Sequence, residues 1–380
     1  MIPGFHPDPS VCRVGDDYYL ACSSFEYFPG VPVFHSRDLM HWTQIGNALD
    51  RPGQLRLLTT ESSGGVYAPT LRHHDGRFWL ITTNFSDGGT LLFTATDPAG
   101  PWSDPIRVPG VTGVDPDLAW DDDGNCWCAY AGEGGIQQVR IAPHTGESFG
   151  TPRRPWSGTP GAKAHEAPHL YRIGDYWYLL IAEGGTERGH GVAIARGPAP
   201  DGPFEPCPTN PFLTHRSTDH PIQNTGHGDL VQAPDGSWWM VLLGVRPSGG
   251  TPGWHVLGRE TYLAPVRWAD GWPLAGAVPQ VMAPPPWPLR PVATPQVRED
   301  FDRGDLRPQW VSLRCRREAE CTTRERPGWL TLRVNGGSLD DLSLTWVGRR
   351  QQHLSCRVRA LIDPGEGRGG LGIRLDERHH

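Results

Sequence analysis

Lysine and long hydrophobic runs are nearly absent from this sequence. Its 380 residues include one lysine, Lys163, and four methionines. No window approaches the roughly 18 consecutive apolar residues of a membrane-spanning helix, and no signal peptide precedes Pro3. The net charge of −7 provides no basic stripe of the kind that binds nucleic acids. These absences argue against a membrane protein and a nucleic-acid-binding protein, and they favour a cytoplasmic location.

Metal-binding and disulfide signatures are also missing. The eight cysteines form no CxxC pair, although Cys126 and Cys128 stand two positions apart and so share one face of a strand. Without an export signal, reduced and packed thiols are expected, with disulfides as the alternative. There is no HExxH motif and no Cys/His cluster, so a metal-dependent hydrolase is a weak alternative.

Glycine, proline and tryptophan are abundant instead. The chain has 48 Gly, 39 Pro and 16 Trp. Glycine and proline favour turns, whereas tryptophan and tyrosine favour strands. The composition therefore predicts an all-β protein in which many short strands are joined by tight turns.

One short unit, a Gly- or Asp-containing turn followed by aromatic residues of a strand, recurs five times. Its marker residues, Tyr19, Trp79, Trp127, Trp177 and Trp239, are separated by 60, 48, 50 and 62 residues. A second aromatic marker follows each hairpin, at Trp42, Trp102, Phe149, Phe204 and Trp272. Such spacings are typical of four-stranded propeller blades with loop insertions. Residues 1–285 are therefore predicted to form a five-bladed β-propeller.

The pattern changes after the propeller. Residues 286–298 are predicted to be a proline-rich linker, because consecutive prolines are extended and cannot join a ladder. The segments 329–334, 354–361 and 371–375 alternate apolar and polar residues, as half-buried strands do. Residues 299–380 are fewer than the roughly 100 of a complete sandwich, so they are predicted to form a partial, truncated C-terminal β-sandwich accessory domain.

Polar residues stand near the start of the first strand in four of the units. They are Asp8, Asp115, Glu166 and His227, from units one, three, four and five. The first strand of each propeller blade lines the central channel, so we expect these side chains to meet at one opening. Three carboxylates held together cannot all stay ionised cheaply, so at least one pKa should rise. A protonated general acid beside an ionised base requires such a shift.

Three of these residues also have a structural alternative when each is taken alone. Asp8 and Asp115 precede prolines and could form turns, while His227 could be a buried structural histidine. Asp117 is expected in a hairpin or in solvent. Glu166 has no such alternative, because glutamate is a poor strand former and does not favour turns. The shared position of the four residues favours a function.

Eight segments in order along the predicted propeller carry a resemblance to a known family. They are residues 3–10, 17–19, 23–31, 35–39, 67–70, 166–171, 182–186 and 258–261. Together they resemble glycoside hydrolase family 43, with its β-xylosidase branch as the closest match. The pair Phe301 and Asp302 is similar to the entry into the family's accessory β-sandwich.

The resemblance implies a role for each catalytic candidate. Asp8 is the implied general base that activates water, and Glu166 is the implied general acid. Asp115 is implied to hold Glu166 in place and to raise its pKa. Phe25 and Tyr67 are the implied apolar walls of a single-sugar pocket, although relatives more often have tryptophan at the position of Tyr67.

Two further residues are implied to contact the substrate or an ion. Arg259 is implied to hydrogen-bond sugar hydroxyls. His227 matches a histidine near the channel axis that lies close to a divalent cation, Ca or Mg, or to its water. No cofactor is implied as a requirement, and assembly into a homo-oligomer fits the resemblance.

The implied activity is the removal of terminal β-1,4-xylosyl residues from xylo-oligosaccharides with inversion at the anomeric carbon. An inverting enzyme needs its two carboxyl groups about 6.5–9.5 Å apart, whereas a retaining enzyme needs about 5–5.5 Å. Two alternatives stay open. One is an α-L-arabinofuranosidase with the same site, and the other is a non-catalytic carbohydrate-binding propeller.

Overall fold

The computed structural model describes residues 1–250, 253–292, 297–317 and 319–380. In these residues all regular secondary structure is β-strand. This part of the chain therefore contains no helix that could span a membrane. Most strands fall into five antiparallel sheets, which are the blades. Part of the predicted linker, residues 293–296, lies outside the described residues.

Within each blade the strands follow one another along the chain from the centre outwards. Blade one contains β1 (Ser10–Val14), β2 (Asp17–Ala21), β4 (Gly30–Ser36) and β5 (Thr43–Leu49). The short β3 (Tyr27–Phe28) lies between β2 and β4 along the chain but is not paired with them in this sheet. Blade two contains β6 (Thr70–His74), β7 (Arg77–Asn84), β8 (Gly89–Ala95) and β9 (Ile106–Arg107). Blade three contains β10 (Val114–Trp120), β11 (Cys126–Gly132), β12 (Gly135–Ala142) and β13 (Glu147–Arg153).

The remaining two blades follow the same order. Blade four contains β14 (Glu166–Ile173), β15 (Tyr176–Glu183), β16 (Gly191–Gly197) and β17 (Glu205–Pro206), and β18 (Leu213–Thr214) also pairs with β16. Blade five contains β19 (Gln223–Gln232), β20 (Trp238–Val245), β21 (Glu260–Ala269) and β22 (Trp272–Ala275). Each predicted repeat unit is confirmed as the hairpin between the first two strands of a blade.

The five blades close into a ring. Strand β1 contacts β6, β6 contacts β10, β10 contacts β14, β14 contacts β19, and β19 contacts β1. Ile2 fastens the ring, because its N–H donates to the carbonyl of Thr261 at 3.1 Å and its carbonyl accepts from the Thr261 N–H at 3.3 Å. The predicted five-bladed propeller is therefore confirmed, with the first strand of every blade at the centre.

In the part of the chain that the structure describes, the hydrophobic core consists of five clusters, one between each pair of neighbouring blades. Three of the repeat markers, Trp79, Trp177 and Trp239, are buried in these clusters. A buried aromatic side chain removes a large apolar area from water, so one such residue per blade can stabilise each interface. These aromatic residues recur in the sequence because each fills the same packing position in its blade.

The proline-rich stretch packs against the propeller. Trp287 is buried, and its ring lies edge-on to Trp239 with centroids 5.4 Å apart. Its Nε1–H donates to the carbonyl of Asp38 at 3.0 Å, and the N–H of Arg290 donates to Asp38 Oδ2 at 2.7 Å. The propeller core therefore extends past residue 285, since the apolar surface of Trp287 favours burial between blades five and one.

The C-terminal residues contain few strands. Strand β23 (Ser312–Leu313) pairs with β3, and β24 (Cys321–Thr322) pairs with β25 (Thr331–Leu332). Of the predicted strands, 329–334 is confirmed only at β25, and the predictions at 354–361 and 371–375 are wrong. A strand needs a neighbour to complete its ladder, and in the described residues these two segments have none.

The cysteines form no disulfide, and the predicted packing of the thiols is confirmed for all but Cys315 and Cys356. All eight are free thiols, and six of them are buried. Cys126 and Cys128 lie on the same face of β11, where both pack in the cluster between blades two and three. They act as small apolar core residues at this interface.

Candidate active site

Three first strands carry a β-bulge at the same end. The pairing register shifts within residues 114–117 of β10, 166–169 of β14 and 226–229 of β19. A bulge interrupts the ladder and redirects the side chains beside it. At the inner ends of three blades, the bulges therefore turn polar side chains towards a common opening.

The four polar residues were predicted to occupy equivalent positions in their blades, and the structure shows that one of them does not. Asp8, Asp115 and His227 share left-handed φ angles of 57°, 53° and 50°. In blade four the left-handed residue is Ala167, with φ of 50°, so Glu166 stands one position earlier. Such a conformation costs roughly 1–2 kcal/mol for a residue with a Cβ, so the surrounding contacts must hold it.

Asp8 is buried and held by three side chains. Its Oδ2 accepts a hydrogen bond from Ser23 Oγ at 2.5 Å, and its Oδ1 accepts one from Arg259 Nη1 at 2.8 Å. His227 Nδ1 lies 3.6 Å from Oδ1. Burial alone would raise the pKa of Asp8, but Arg259, His227 and Ser23 hold it below its usual value. Asp8 is therefore ionised at neutral pH.

The pKa values of the two other carboxyl groups, Asp115 and Glu166, are raised. Burial, followed by the charges of Asp8 and Glu166, raises the pKa of Asp115 to about 8. Burial, followed by the charge of Asp8, raises the pKa of Glu166, and Arg259 opposes this shift. The prediction that at least one pKa rises is therefore confirmed. Repulsion between two like charges acts on both groups, and Asp115 and Glu166 lie close enough to interact. The implied role of Asp115 in raising the pKa of Glu166 stays a prediction.

Asp115 is tied to the backbone beside Glu166. Its Oδ2 accepts a hydrogen bond from the N–H of Ala167 at 3.1 Å. Ala167 follows Glu166 directly and is the bulge residue of blade four. Asp115 therefore holds the bulge that sets the direction of the Glu166 side chain.

Phe25 and Tyr67 lie beside Arg259. Their ring centroids are 5.6 Å apart, and the guanidinium carbon of Arg259 lies 5.4 Å from the centroid of Phe25. The pKa of Tyr67 is raised, mainly by burial. Arg259 lowers this pKa and Asp115 raises it, so both charged groups lie close to the Tyr67 hydroxyl. The structure brings these three residues together with the carboxyl cluster.

The axis offers few ligands for a metal ion. In the described parts of the chain, no three His, Cys, Asp or Glu side chains form a group that could hold one. The pKa of His227 is lowered to about 3, mainly by burial, so its ring is neutral. The residues do not fit direct coordination, and a cation near His227 held through water stays a prediction.

A largely buried arginine lies among the first strands, and sequence reasoning missed it. Arg72 of β6 forms ion pairs with Asp117 of β10 at 2.7 Å and with Asp229 of β19 at 2.9 Å. It also donates from Nη2 to His169 Nδ1 of β14 at 2.9 Å. Asp117 is fully buried, so its predicted place in a hairpin or in solvent is wrong.

Asp229 extends this network to the remaining strands. Its Oδ2 accepts from Ser10 Oγ and from the N–H of Val11, both at 2.9 Å, and its Oδ1 accepts from the hydroxyl of Tyr171 at 2.5 Å. The pKa of Asp229 is lowered to about 2, because Arg72 outweighs the effect of burial. Side chains from all five blades are thereby joined around the axis.

The missed network had a signal in the sequence. Ser10, Asp117 and Asp229 stand two positions after the predicted site residues of their blades, and His169 stands three positions after Glu166. Side chains two positions apart in a strand share a face, so this spacing marks a second layer of polar groups along the channel. Nothing comparable in the sequence marks Arg72 as their counter-charge.

His190 is a second histidine near Asp8 that sequence reasoning missed. It is buried, and its Nδ1 donates to the carbonyl of Asn224 at 3.0 Å. Burial lowers its pKa to about 4, and Asp8 and Arg259 act on it with opposite signs. A Cβ at Gly226 would lie 2.3 Å from the His190 ring, so only glycine leaves room for it.

Comparison with known proteins identifies the family. The model of Glycosyl hydrolases family 43 matches residues 1–273, and the model of the Beta xylosidase C-terminal Concanavalin A-like domain matches residues 298–380. A non-reducing end alpha-L-arabinofuranosidase from Bacteroides ovatus is 43% identical over 100% of this chain and 74% of its own length.

Two further comparisons agree. A xylosidase/arabinosidase from Butyrivibrio fibrisolvens is 40% identical over 94% of this chain and 73% of its own length. The crystal structure of a xylan beta-1,4-xylosidase from Bacillus halodurans has a TM-score of 0.87 and 38% identity, and the match covers 93% of this chain and 71% of that one. These matches do not favour the non-catalytic alternative. The chain belongs to glycosyl hydrolases family 43 and is a glycoside hydrolase, with a five-bladed propeller followed by a C-terminal β-sandwich domain.

Proposed function

We propose that the protein removes terminal β-1,4-xylosyl residues from xylo-oligosaccharides with inversion at the anomeric carbon. The observation that carries this proposal is the opposite shift of two pKa values in one opening. The pKa of Asp8 is lowered, whereas that of Glu166 is raised. An ionised base beside a protonated acid is the pair that glycoside hydrolysis needs.

Asp8 is the proposed general base. Each of its carboxylate oxygens accepts one hydrogen bond from the protein and keeps a further lone pair. The carboxylate takes a proton from a water molecule, whose oxygen attacks the anomeric carbon on the face opposite the leaving group. Inversion requires space for this water, so the expected separation of about 6.5–9.5 Å between the Asp8 and Glu166 carboxyl groups is part of the proposal.

Glu166 is the proposed general acid. It donates its proton to the glycosidic oxygen while the bond from that oxygen to the anomeric carbon breaks. The cycle leaves Asp8 protonated and Glu166 ionised, and proton exchange with solvent restores both. Asp115 positions Glu166 through the N–H of Ala167.

The walls of the opening support a small sugar as substrate. Phe25 and Tyr67 offer apolar surface to the C–H faces of a pentose, and Arg259 offers donors to its hydroxyl groups. Among the described residues, Asp8 is the only hydrogen-bond partner of the Arg259 guanidinium group. The rest of its guanidinium group is then available to the substrate.

An α-L-arabinofuranosidase is the second candidate. It is favoured by the relative from Bacteroides ovatus, which carries that name and is 43% identical. The ratio of kcat/KM on 4-nitrophenyl β-D-xylopyranoside and 4-nitrophenyl α-L-arabinofuranoside decides between the two. A strong preference for the furanoside would replace the xylosidase proposal.

NMR of the first product formed from xylobiose tests the mechanism. The reducing-end sugar is released as its equilibrium mixture of anomers, so the initial excess of one anomer is the readout. We expect an initial excess of α-xylose that then decays by mutarotation, because water attacks opposite the β-linked leaving group. If β-xylose is in excess at first, the mechanism is retaining and the proposed role of Asp8 is wrong.

A further inference from the structure

Four aromatic rings form a row, and one of them, Phe25, lies against Arg259, the hydrogen-bond partner of Asp8. Phe5 and Phe25 are stacked with centroids 5.5 Å apart, and Phe25 and Tyr67 follow at 5.6 Å. Tyr67 and Phe85 are then stacked almost parallel, at 4.9 Å and 3°. The row therefore continues past the two predicted pocket walls to a residue that sequence reasoning did not select.

The backbone holds the outer part of this row in place. The N–H of Tyr67 donates to the carbonyl of Thr83 at 2.9 Å, and the N–H of Phe85 donates to the carbonyl of Gly65 at 2.7 Å. On the other side, Val66 bridges Phe25. The segment that carries Tyr67 is thus paired on both edges, which fixes the spacing of the rings.

Gly65 is required for this close approach. Its φ is +86°, and a Cβ at this position would lie 2.3 Å from the carbonyl oxygen of Phe25. A side chain there would push the segment carrying Tyr67 away from Phe25. The spacing of the rings is therefore built into the backbone.

Phe85 is unusual because it is both ordered by stacking and open to solvent. It is 59% exposed, although one ring face lies against Tyr67. The exposed surface is therefore the opposite ring face and the ring edge. A single exposed aromatic residue is ordinary, but this one continues the wall of the site.

We propose that Phe85 is a binding platform for the sugar on the leaving-group side of the scissile bond. The inference rests on the proposed function, which places the terminal sugar between Asp8 and Glu166. A site that holds one terminal sugar leaves the next sugar towards solvent, and Phe85 is the solvent-exposed end of the row, whereas Phe25 is buried. The open face of Phe85 can then pack against the apolar C–H face of that sugar. Its hydroxyl groups remain in water at the ring edge.

The test compares two substrates that differ only in the leaving group. Xylobiose places a second sugar on the leaving-group side, whereas β-D-xylosyl fluoride releases only fluoride. For Phe85→Ala we expect kcat/KM on xylobiose to fall about 3–10-fold, the size of one aromatic stacking contact, while kcat/KM on the fluoride stays unchanged. Phe85→Trp should retain activity on xylobiose, because it keeps a ring face.

Phe149→Ala is the matched control. Phe149 is 47% exposed and lies in β13, the outer strand of blade three. Its removal should change neither rate. An equal fall on both substrates for Phe85→Ala would mean that Phe85 only supports Tyr67, and an unchanged rate on xylobiose would mean that it binds no second sugar. Either result overturns the proposal.

The proposed function is tested separately by the wild-type chain. If that chain acts on arabinofuranosyl substrates instead, the same comparison uses α-L-arabinofuranosyl fluoride and an arabinofuranosyl xylobiose. In that case the xylosidase proposal is wrong, but the comparison still tests whether Phe85 binds the sugar on the leaving-group side. If the wild-type chain cleaves none of these substrates, both proposals are wrong.

Discussion

Arg259 donates a hydrogen bond of 2.8 Å from Nη1 to Oδ1 of Asp8. The resemblance implied that Arg259 binds sugar hydroxyls, and the structure gives it a further contact with the proposed base. Arg259 lies just before β21 of blade five, whereas Asp8 lies just before β1 of blade one. Closure of the ring thus supplies the positive charge that keeps Asp8 ionised.

Removal of this charge should move the acidic limb of the pH–rate profile. The Arg259 guanidinium lowers the pKa of Asp8, and a general base must be ionised, so activity is lost as the pH falls through that pKa. In Arg259→Gln the pKa of Asp8 should rise, and the acidic limb of kcat/KM should shift to higher pH. Arg259→Lys, which keeps the charge, should shift it less. An unmoved limb in Arg259→Gln would show that this charge does not control Asp8.

The two proposed catalytic carboxyl groups should respond differently to the leaving group. Asp8→Asn should lower kcat about 10²–10⁴-fold on both xylobiose and β-D-xylosyl fluoride, because both need activated water. Glu166→Gln should lower it by a similar factor on xylobiose but much less on the fluoride, since fluoride leaves without a proton. Asp123→Asn, an exposed carboxylate in a hairpin of blade three, is the control. Full activity of either variant on xylobiose would exclude its assigned role.

Asp115 should lower stability at neutral and alkaline pH. Its pKa is raised to about 8 in the folded protein. Its contribution to the stability of the folded state is therefore fully present when the pH is below its unfolded pKa of about 4. This contribution is lost as the pH rises towards 8. Asp115→Asn keeps an oxygen that can accept from Ala167 and removes the charge.

Thermal unfolding measured from pH 4 to pH 8 checks this prediction. The Tm of Asp115→Asn should match that of the wild type near pH 4 and exceed it by about 2 °C or more at pH 8. Activity of the variant should fall at every pH. A Tm difference that does not grow with pH would contradict the raised pKa.

Loss of Arg72 should destabilise the whole propeller. Arg72→Met leaves Asp117 and Asp229 buried without their counter-charge, and breaking a buried ion pair from one side costs about 3–5 kcal/mol. The free energy of unfolding in urea measures this loss. Arg51→Met removes an exposed pair with Asp104 and should cost less than about 1 kcal/mol.

A further variant separates charge from packing. Adding Asp229→Asn to Arg72→Met removes one of the two unpaired charges, so part of the lost stability should return. If Arg72→Met costs no more than Arg51→Met, the central network is not a source of stability.

Much of the fold was predictable because its signals are local. A turn such as Val14–Asp17 is determined by neighbouring residues, and the recurrence of Trp79, Trp177 and Trp239 reflects one packing position per blade. The alternating segment 354–361 shows the limit of such signals. Its pattern is that of a strand, but a strand also requires a partner, which the local sequence cannot show.

The sequence by itself determined the number of blades and brought Asp8, Asp115, Glu166 and His227 to the centre, because turn chemistry and aromatic spacing depend on near neighbours. Only the tertiary structure decided that Glu166 precedes the bulge of its blade and that Asp8 is ionised by a residue about 250 positions away. The physical reason is that a pKa depends on burial and on charges brought close in space. The burial of Asp8 and its closeness to Arg259 arise only when the ring of blades has closed.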